Sequence, residues 1–320
     1  MEAIIQRAGV TPPDWWNSVP LVYPPTLDLR WPEAKGPWDP QKNVGQYVWS
    51  VINENPPKWR EGVKFIHHVL AVNKDNPPVV QKAVGSLGTM YHNLLEDWAR
   101  AAFWWRKAGM TDDADLARCY WKLGSKEMAA SVIAKFTVDD TRNGNVIKLW
   151  ADMGDLDKAL ALAEATARDG APDIGYLAAG DACRLHGRYP QALQYYQKVL
   201  DAATGWRDLK QNKERARASI DAIRLVEGLD LSKVRDGTYT ATSRAYAGPL
   251  DAAVTVQGGR ITSVKVVRHQ EKQYYTALAD TPAQIVARQG IRGVDAVTGA
   301  TITSEAIMNA TIKALAKGMQ

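Results

Sequence analysis

The sequence predicts a multidomain chain, an all-α region of stacked helical hairpins followed by a small α+β domain with an antiparallel sheet. Three observations predict it. From residue 42 to 228, apolar residues recur at helical spacing and are broken by short turns such as Asn55-Pro-Pro, Asn76-Pro-Pro, Leu123-Gly-Ser and Met153-Gly-Asp. After Lys233 the period changes to two, over three short runs separated by Gly-Pro and Gly-Gly turns. Residues 1 to 41 follow neither period and are dense in proline and tryptophan. The expected divisions are therefore an extended arm over 1–41, a helical domain over 42–228 and the α+β domain over 235–320. A chain of 320 residues, 46% apolar and 23% charged, has the length and composition for about two globular domains.

The arm carries Pro12, Pro13, Pro20, Pro24, Pro25, Pro32, Pro37 and Pro40, which forbid continuous helix between 9 and 41. Trp15, Trp16, Trp31 and Trp38 are interleaved among them and need cover, so the arm is expected to lie as a strap on the helical region. The alternative is an aromatic platform for a sugar or a quinone.

The helical region repeats an arrangement in which an apolar-small pair is followed by a residue four positions on, a turn, and an alanine opening the second helix. One copy is Leu87-Gly88, Tyr91, Ala101, Trp105, Ala108, and the next is Leu116-Ala117, Tyr120, Ala129, Ile133, Phe136. A third is Val146-Ile147, Trp150, Ala159, Ala163, and a fourth is Ala179-Gly180, Cys183, Ala192, Tyr196, Val199. Over residues 80 to 202 these positions resemble the tetratricopeptide repeat. Their marker alanines are 28, 30 and 33 residues apart, whereas the regular repeat is about 34 residues long, so the region is tetratricopeptide-like. The run Trp206 to Val226 reads as a capping helix closed by Gly228. Such stacks either present a concave face to a protein partner or serve as spacers.

In the last domain, Thr238–Tyr246, Ala252–Gln257 and Ile261–Val267 form a meander with Gly258-Gly259 as a hairpin turn. A helix is expected from Thr281-Pro282 to Gln289 and another from Ser304 to Lys317. Between them runs Asp295-Ala-Val-Thr-Gly-Ala-Thr-Ile-Thr-Ser304. Gly299 and Ala300 minimise bulk beside the Thr301 hydroxyl, and Thr303 and Ser304 are N-cap types. The reading thus places a hydroxyl just ahead of a helix N-terminus, where free amides and the dipole favour a phosphate. An ordinary capped loop has the same local features.

The whole of 235–320 resembles the FMN-binding domain of the C subunit of sodium-pumping NADH:quinone oxidoreductase and the G subunit of the Rnf complex. The resemblance rests on Asp236-Gly-Thr-Tyr-Thr, Gly248-Pro249, Gly258-Gly259-Arg-Ile-Thr-Ser-Val, His269-Gln-Glu271, Pro282, Ile285 and the run from Asp295 to Ser304. It implies that a flavin transferase moves FMN onto Thr301 as a phosphoester, with Asp295, Thr298, Gly299 and Ala300 as recognition positions. Thr303 and Ser304 complete the expected cofactor site. Tyr246, His269, Glu271, Tyr274 and Tyr275 are candidates for contact with the flavin ring, or simply for packing the sheet.

The resemblance implies an electron-transfer flavoprotein with covalent FMN, docked to a redox partner through its repeats, in an extracytoplasmic setting with the export signal outside this sequence. The alternatives are a flavinylated subunit or domain of a reductase, or a repeat scaffold with a non-redox role. No GxGxxG, CxxC or HExxH motif accompanies the helices, and His67, His68, His92 and His186 fall at packing or solvent positions. The C-terminal domain holds ten Lys/Arg against six Asp/Glu, dispersed rather than clustered, which suits a phosphate ligand and not nucleic acid. No apolar run is long enough to span a bilayer. Cys119 and Cys183 match no metal or haem spacing.

Overall fold

The structure is a computed structural model that describes residues 1–142, 144–206, 208–272 and 276–319. Among the described residues the α-helices are α1 (Glu2–Val10), α2 (Val44–Tyr47), α3 (Trp59–Val72), α4 (Pro77–Asn93), α5 (Trp98–Lys107), α6 (Ala114–Lys122) and α7 (Lys126–Ile133). They continue as α8 (Asn145–Asp152), α9 (Leu156–Arg168), α10 (Pro172–Leu185), α11 (Tyr189–Asp201) and α12 (Leu209–Gly228). Three strands follow, β1 (Gly237–Arg244), β2 (Pro249–Gln257) and β3 (Arg260–Arg268), then α13 (Ala277–Arg288) and α14 (Thr301–Gly318). The architecture is an all-helical region followed by a small α+β domain. The chain forms two compact units, Met1–Lys135 and Phe136–Gln320, so the division falls inside the helical region and α8–α12 share a unit with the sheet.

Local chemistry sets the helix starts. The carboxylates of Asp97, Asp113 and Asp208 and the Ser125 hydroxyl accept from first-turn amides of α5, α6, α12 and α7, satisfying donors that have no intrahelical partner.

In the first unit the arm is tied along α3 and α4. Lys64 Nζ donates to the carbonyls of Trp16 and Val19, Asn73 Nδ2 donates to Leu29 O at 2.9 Å, and Lys82 Nζ donates to Trp31 O at 3.2 Å. Trp16 meets His67 edge-on at 5.0 Å. Cover is incomplete, because Trp38 stays 59% exposed and only its indole N–H is engaged, by Ser50 Oγ. The first residues of the arm are helical rather than extended. They precede the prolines, and Glu2 anchors α1 to Arg106 of α5 through two hydrogen bonds of 2.6 and 2.7 Å.

In the second unit consecutive helices from α8 to α12 pack on one another. Gly180 is where α10 lets α11 approach, since a Cβ there would lie 2.5 Å from the Tyr196 ring. The sheet has order β1-β2-β3, antiparallel throughout, and both residues of the Gly258-Gly259 turn have positive φ, as a two-residue hairpin requires. Leu250, Ala252, Val254 and Val256 of β2 face the core. A register shift between Thr255 and Val256 resets the alternation on β3, so Ile261 and Val264 share the buried face although three apart.

Helix α14 is buried without interruption from Thr303 to Ile312, with β1 and β2, α13 and α12 packed around it. Two boundaries depart from expectation. Helix α13 begins at Ala277, which puts Pro282 in its interior, at the cost of one hydrogen bond. Helix α14 begins at Thr301, a turn earlier than Ser304, because the Ser304 amide already donates to Ala300 O at 2.9 Å. Helix α12 ends at Gly228, but without a left-handed cap residue, since Leu229 continues in extended conformation.

Candidate functional site

Thr301 is the first residue of an 18-residue helix and is half-buried. The amides of residues 301–303 have no intrahelical acceptor, because the first helical bond belongs to Ser304. Gly299 holds φ +79, a left-handed conformation that costs a residue with a Cβ more than glycine, and Ala300 is buried behind it with its amide bonded to Val297 O at 3.0 Å. Thr298 is half-buried and Gly299 is exposed. The segment thus presents a hydroxyl beside three unclaimed N–H donors at the positive end of a helix dipole, an arrangement suited to a phosphate.

Thr303 and Ser304 do not cap the helix. Both are buried inside it, and their hydroxyls act as staples. Thr303 Oγ1 donates to Glu271 Oε2 at 2.6 Å, while Glu271 Oε1 accepts from the Ala247 amide at 2.7 Å. Ser304 Oγ accepts from Val297 N–H and from Thr281 Oγ1, both at 3.1 Å, and so pins the loop ahead of Thr301 to α13 and α14. Glu271 is buried in this way between the β1–β2 turn and α14. Tyr246, in that same turn, is 66% exposed, and His269 is half-buried. Tyr274 and Tyr275 lie outside the described residues.

Asp295 is held at both backbone groups by one side chain. Gln284 Nε2 donates to Asp295 O at 3.0 Å, and Gln284 Oε1 accepts from Asp295 N–H at 2.9 Å. The Asp295 carboxylate pairs with Lys148 of α8, which also donates to Asp152 at 2.8 Å. Nothing in the sequence near Asp295 announces Gln284 or Lys148. A glutamine on a helix face and a lysine 147 residues away carry no motif.

Behind the first turn of α14 lies a buried ionic cluster. Glu305 accepts from Arg215 Nε at 3.1 Å and from Arg215 Nη2 at 2.9 Å, and Arg184 and Asp181 complete the group with Tyr196, whose hydroxyl donates to Asp181 at 2.7 Å. Burial works against ionisation of Glu305, but the Arg215 and Arg184 guanidiniums prevail and hold its carboxyl below the usual range. Asp181 goes the other way. Burial, and then the Glu305 charge, push its carboxyl up to about 7.

A family model, that of the FMN-binding domain, matches residues 245–316, which include the Asp295–Ser304 run and all of α14 but its last residues. The chain therefore carries an FMN-binding domain at its C-terminal end. A curated relative, an uncharacterized protein of Treponema pallidum (strain Nichols), is 40% identical over 86 residues, 26% of this chain and 24% of that protein. The chain thus matches about a quarter of the relative's length. No solved structure matches. Among the described residues no helix is long and apolar enough to cross a membrane, and no His, Cys, Asp and Glu group is arranged to hold a metal ion. Cys119 and Cys183 are free and buried.

Proposed function

We propose that the chain is an electron-transfer flavoprotein in which FMN is joined to Thr301 through a phosphoester. The observation that carries the reading is the position of Thr301 in the matched segment. Its hydroxyl opens α14 after a left-handed glycine, next to three amides without intrahelical acceptors. In the attachment step the Thr301 Oγ1–P bond forms while the pyrophosphate bond of FAD breaks. AMP is the leaving group and the hydroxyl proton passes to solvent. The amides of 301–303 hold the phosphate, the Ser304 and Gln284 hydrogen bonds keep the Asp295–Ala300 path in shape for the transferase, and Asp295, Thr298, Gly299 and Ala300 are what the transferase reads. Bound flavin supplies one- and two-electron redox chemistry.

The tetratricopeptide-like helices serve as the docking platform for a redox protein, and covalent attachment suits an extracytoplasmic location, where free flavin would be lost. Coexpression with a flavin transferase, followed by intact-mass and in-gel fluorescence analysis of the wild type and Thr301→Ala, tests the attachment. The wild type is expected to carry one flavin and the variant none. A bare wild type, or an adduct that survives the substitution, defeats the assignment.

A further inference from the structure

Lys148 of α8 stands between two carboxylates. Its Nζ donates to both oxygens of Asp152, one turn along the same helix, at 2.8 Å each. It also donates to Oδ1 of Asp295, which is the only charged residue in the run from Asp295 to Ser304. The two carboxylates are not equivalent, because the side chain of Asp152 is 4% exposed and that of Asp295 is 32% exposed. Burial fastens Lys148 to Asp152, whereas Asp295 is able to turn its carboxylate towards solvent. Lys148 lies outside the segment 245–316 that matches the FMN-binding domain, so the helical region supplies this contact. The acceptor segment keeps its place by other means. Gln284 holds both backbone groups of Asp295, the Arg292 guanidinium lies 5.5 Å from the ring centre of Tyr189 of α11, and Ser304 Oγ accepts from Val297 N–H. What Lys148 fixes is the Asp295 carboxylate itself.

A carboxylate that a second protein recognises must exchange its internal cation for a donor of that protein. We propose that Lys148 competes with the flavin transferase for Asp295, so that α8 of the helical region sets how readily the acceptor segment is engaged. The proposal rests on the Thr301 reading, in which Asp295 is a recognition position. Asp152 eases the exchange. When Asp295 swings to the transferase, Lys148 keeps its two hydrogen bonds to Asp152, and no ammonium is left uncompensated in the interior. Because a third of the Asp295 side chain is exposed, the pair is worth a factor of about two to five in the binding equilibrium. Lys148 acts on that equilibrium alone. In the transfer step the Thr301 Oγ1–P bond forms, the pyrophosphate bond of FAD breaks and AMP leaves, a step to which Lys148 contributes no atom.

The test is a transfer assay in which the full chain, unmodified, is titrated against purified flavin transferase and FAD, with attached flavin read by intact mass. The proteins are wild type, Lys148→Met, Lys148→Arg, Asp152→Asn and Gln284→Leu. Lys148→Met should lower the KM for the chain about two- to fivefold with kcat unchanged. Lys148→Arg keeps the cation and should return KM to the wild-type value. Asp152→Asn should act in the opposite direction and raise KM, because Lys148 then loses the carboxylate that holds it when Asp295 leaves. Added sodium chloride should narrow the ratio between wild type and Lys148→Met, since screening weakens the pair that only the wild type must break. Gln284→Leu frees the Asp295 backbone but leaves its carboxylate with Lys148, and it should not lower KM. Should Lys148→Met fail to fold, the near-isosteric Asp152→Asn carries the test. A wild-type KM in Lys148→Met and Asp152→Asn, or an equal fall in Gln284→Leu, would overturn the competition while leaving Thr301 as the acceptor. A wild type that takes up no flavin fails the Thr301 reading, and the competition falls with it.

Discussion

Arg215 on α12 and Glu305 on α14 meet through two hydrogen bonds, although 90 residues separate them in the chain. Glu305 is 3% exposed, so its charge depends on that guanidinium and on Arg184. Arg215→Met leaves a buried carboxylate short of its main partner and is expected to cost about 3–5 kcal/mol, read by urea unfolding. Arg215→Met combined with Glu305→Leu should recover most of that loss, because the Glu305 carboxylate is then no longer left buried without its main partner, and Arg184 keeps Asp181 beside it. A double variant as unstable as the single one would show that packing, not charge, sets the cost.

The same cluster predicts a pH dependence. Asp181 has its carboxyl raised to about 7 in the fold, against about 4 for an ordinary aspartate. Its contribution to stability is fully present below about pH 4, declines as the unfolded chain ionises first, and is gone above about pH 7. Glu305, lowered in the fold, contributes in the opposite sense, losing its stabilisation as the solution is acidified. Thermal midpoints of the wild type relative to Asp181→Asn should therefore rise as pH falls from about 7 to about 4. Parallel curves for the two proteins would contradict the assignment.

Gly299 takes φ +79 immediately before the Ala300–Thr301 step. Gly299→Ala forces a Cβ into that region and should destabilise the protein by about 1 kcal/mol, measured as a lowered unfolding midpoint. An unchanged midpoint would mean that the loop relaxes without strain.

Gln284 brackets the backbone of Asp295 with two hydrogen bonds, one donated and one accepted. Gln284→Leu retains the bulk but removes both, and should cost about 1–3 kcal/mol. Hydrogen exchange at the Asp295 amide should accelerate in step. Exchange as slow as in the wild type would place its protection elsewhere.

Gly180 lies against the Tyr196 ring, where an added Cβ would be 2.5 Å from the nearest ring carbon. Gly180→Val should cost about 1–3 kcal/mol or more through overpacking, detected by chemical denaturation.

The sequence by itself determined the change from helical to strand periodicity near residue 235, the Gly258-Gly259 hairpin and the Thr301 run. Each is written in local spacing or in residues that few backbone conformations accept. Helix boundaries were less legible. Thr303 and Ser304 are good cap residues by type, but burial gave their hydroxyls Glu271, Val297 and Thr281 as partners, and the helix started at Thr301 instead. Tertiary structure alone decided that Gln284 and Lys148 hold Asp295 and that Arg215 neutralises Glu305. These pairs join residues from distant elements, and nothing in their neighbouring sequence sets which side chain will meet which. Only the packing of α8, α12 and α13 with the loop and helix at 295–309 fixes those distances, and the low-dielectric interior then makes each pairing energetically consequential.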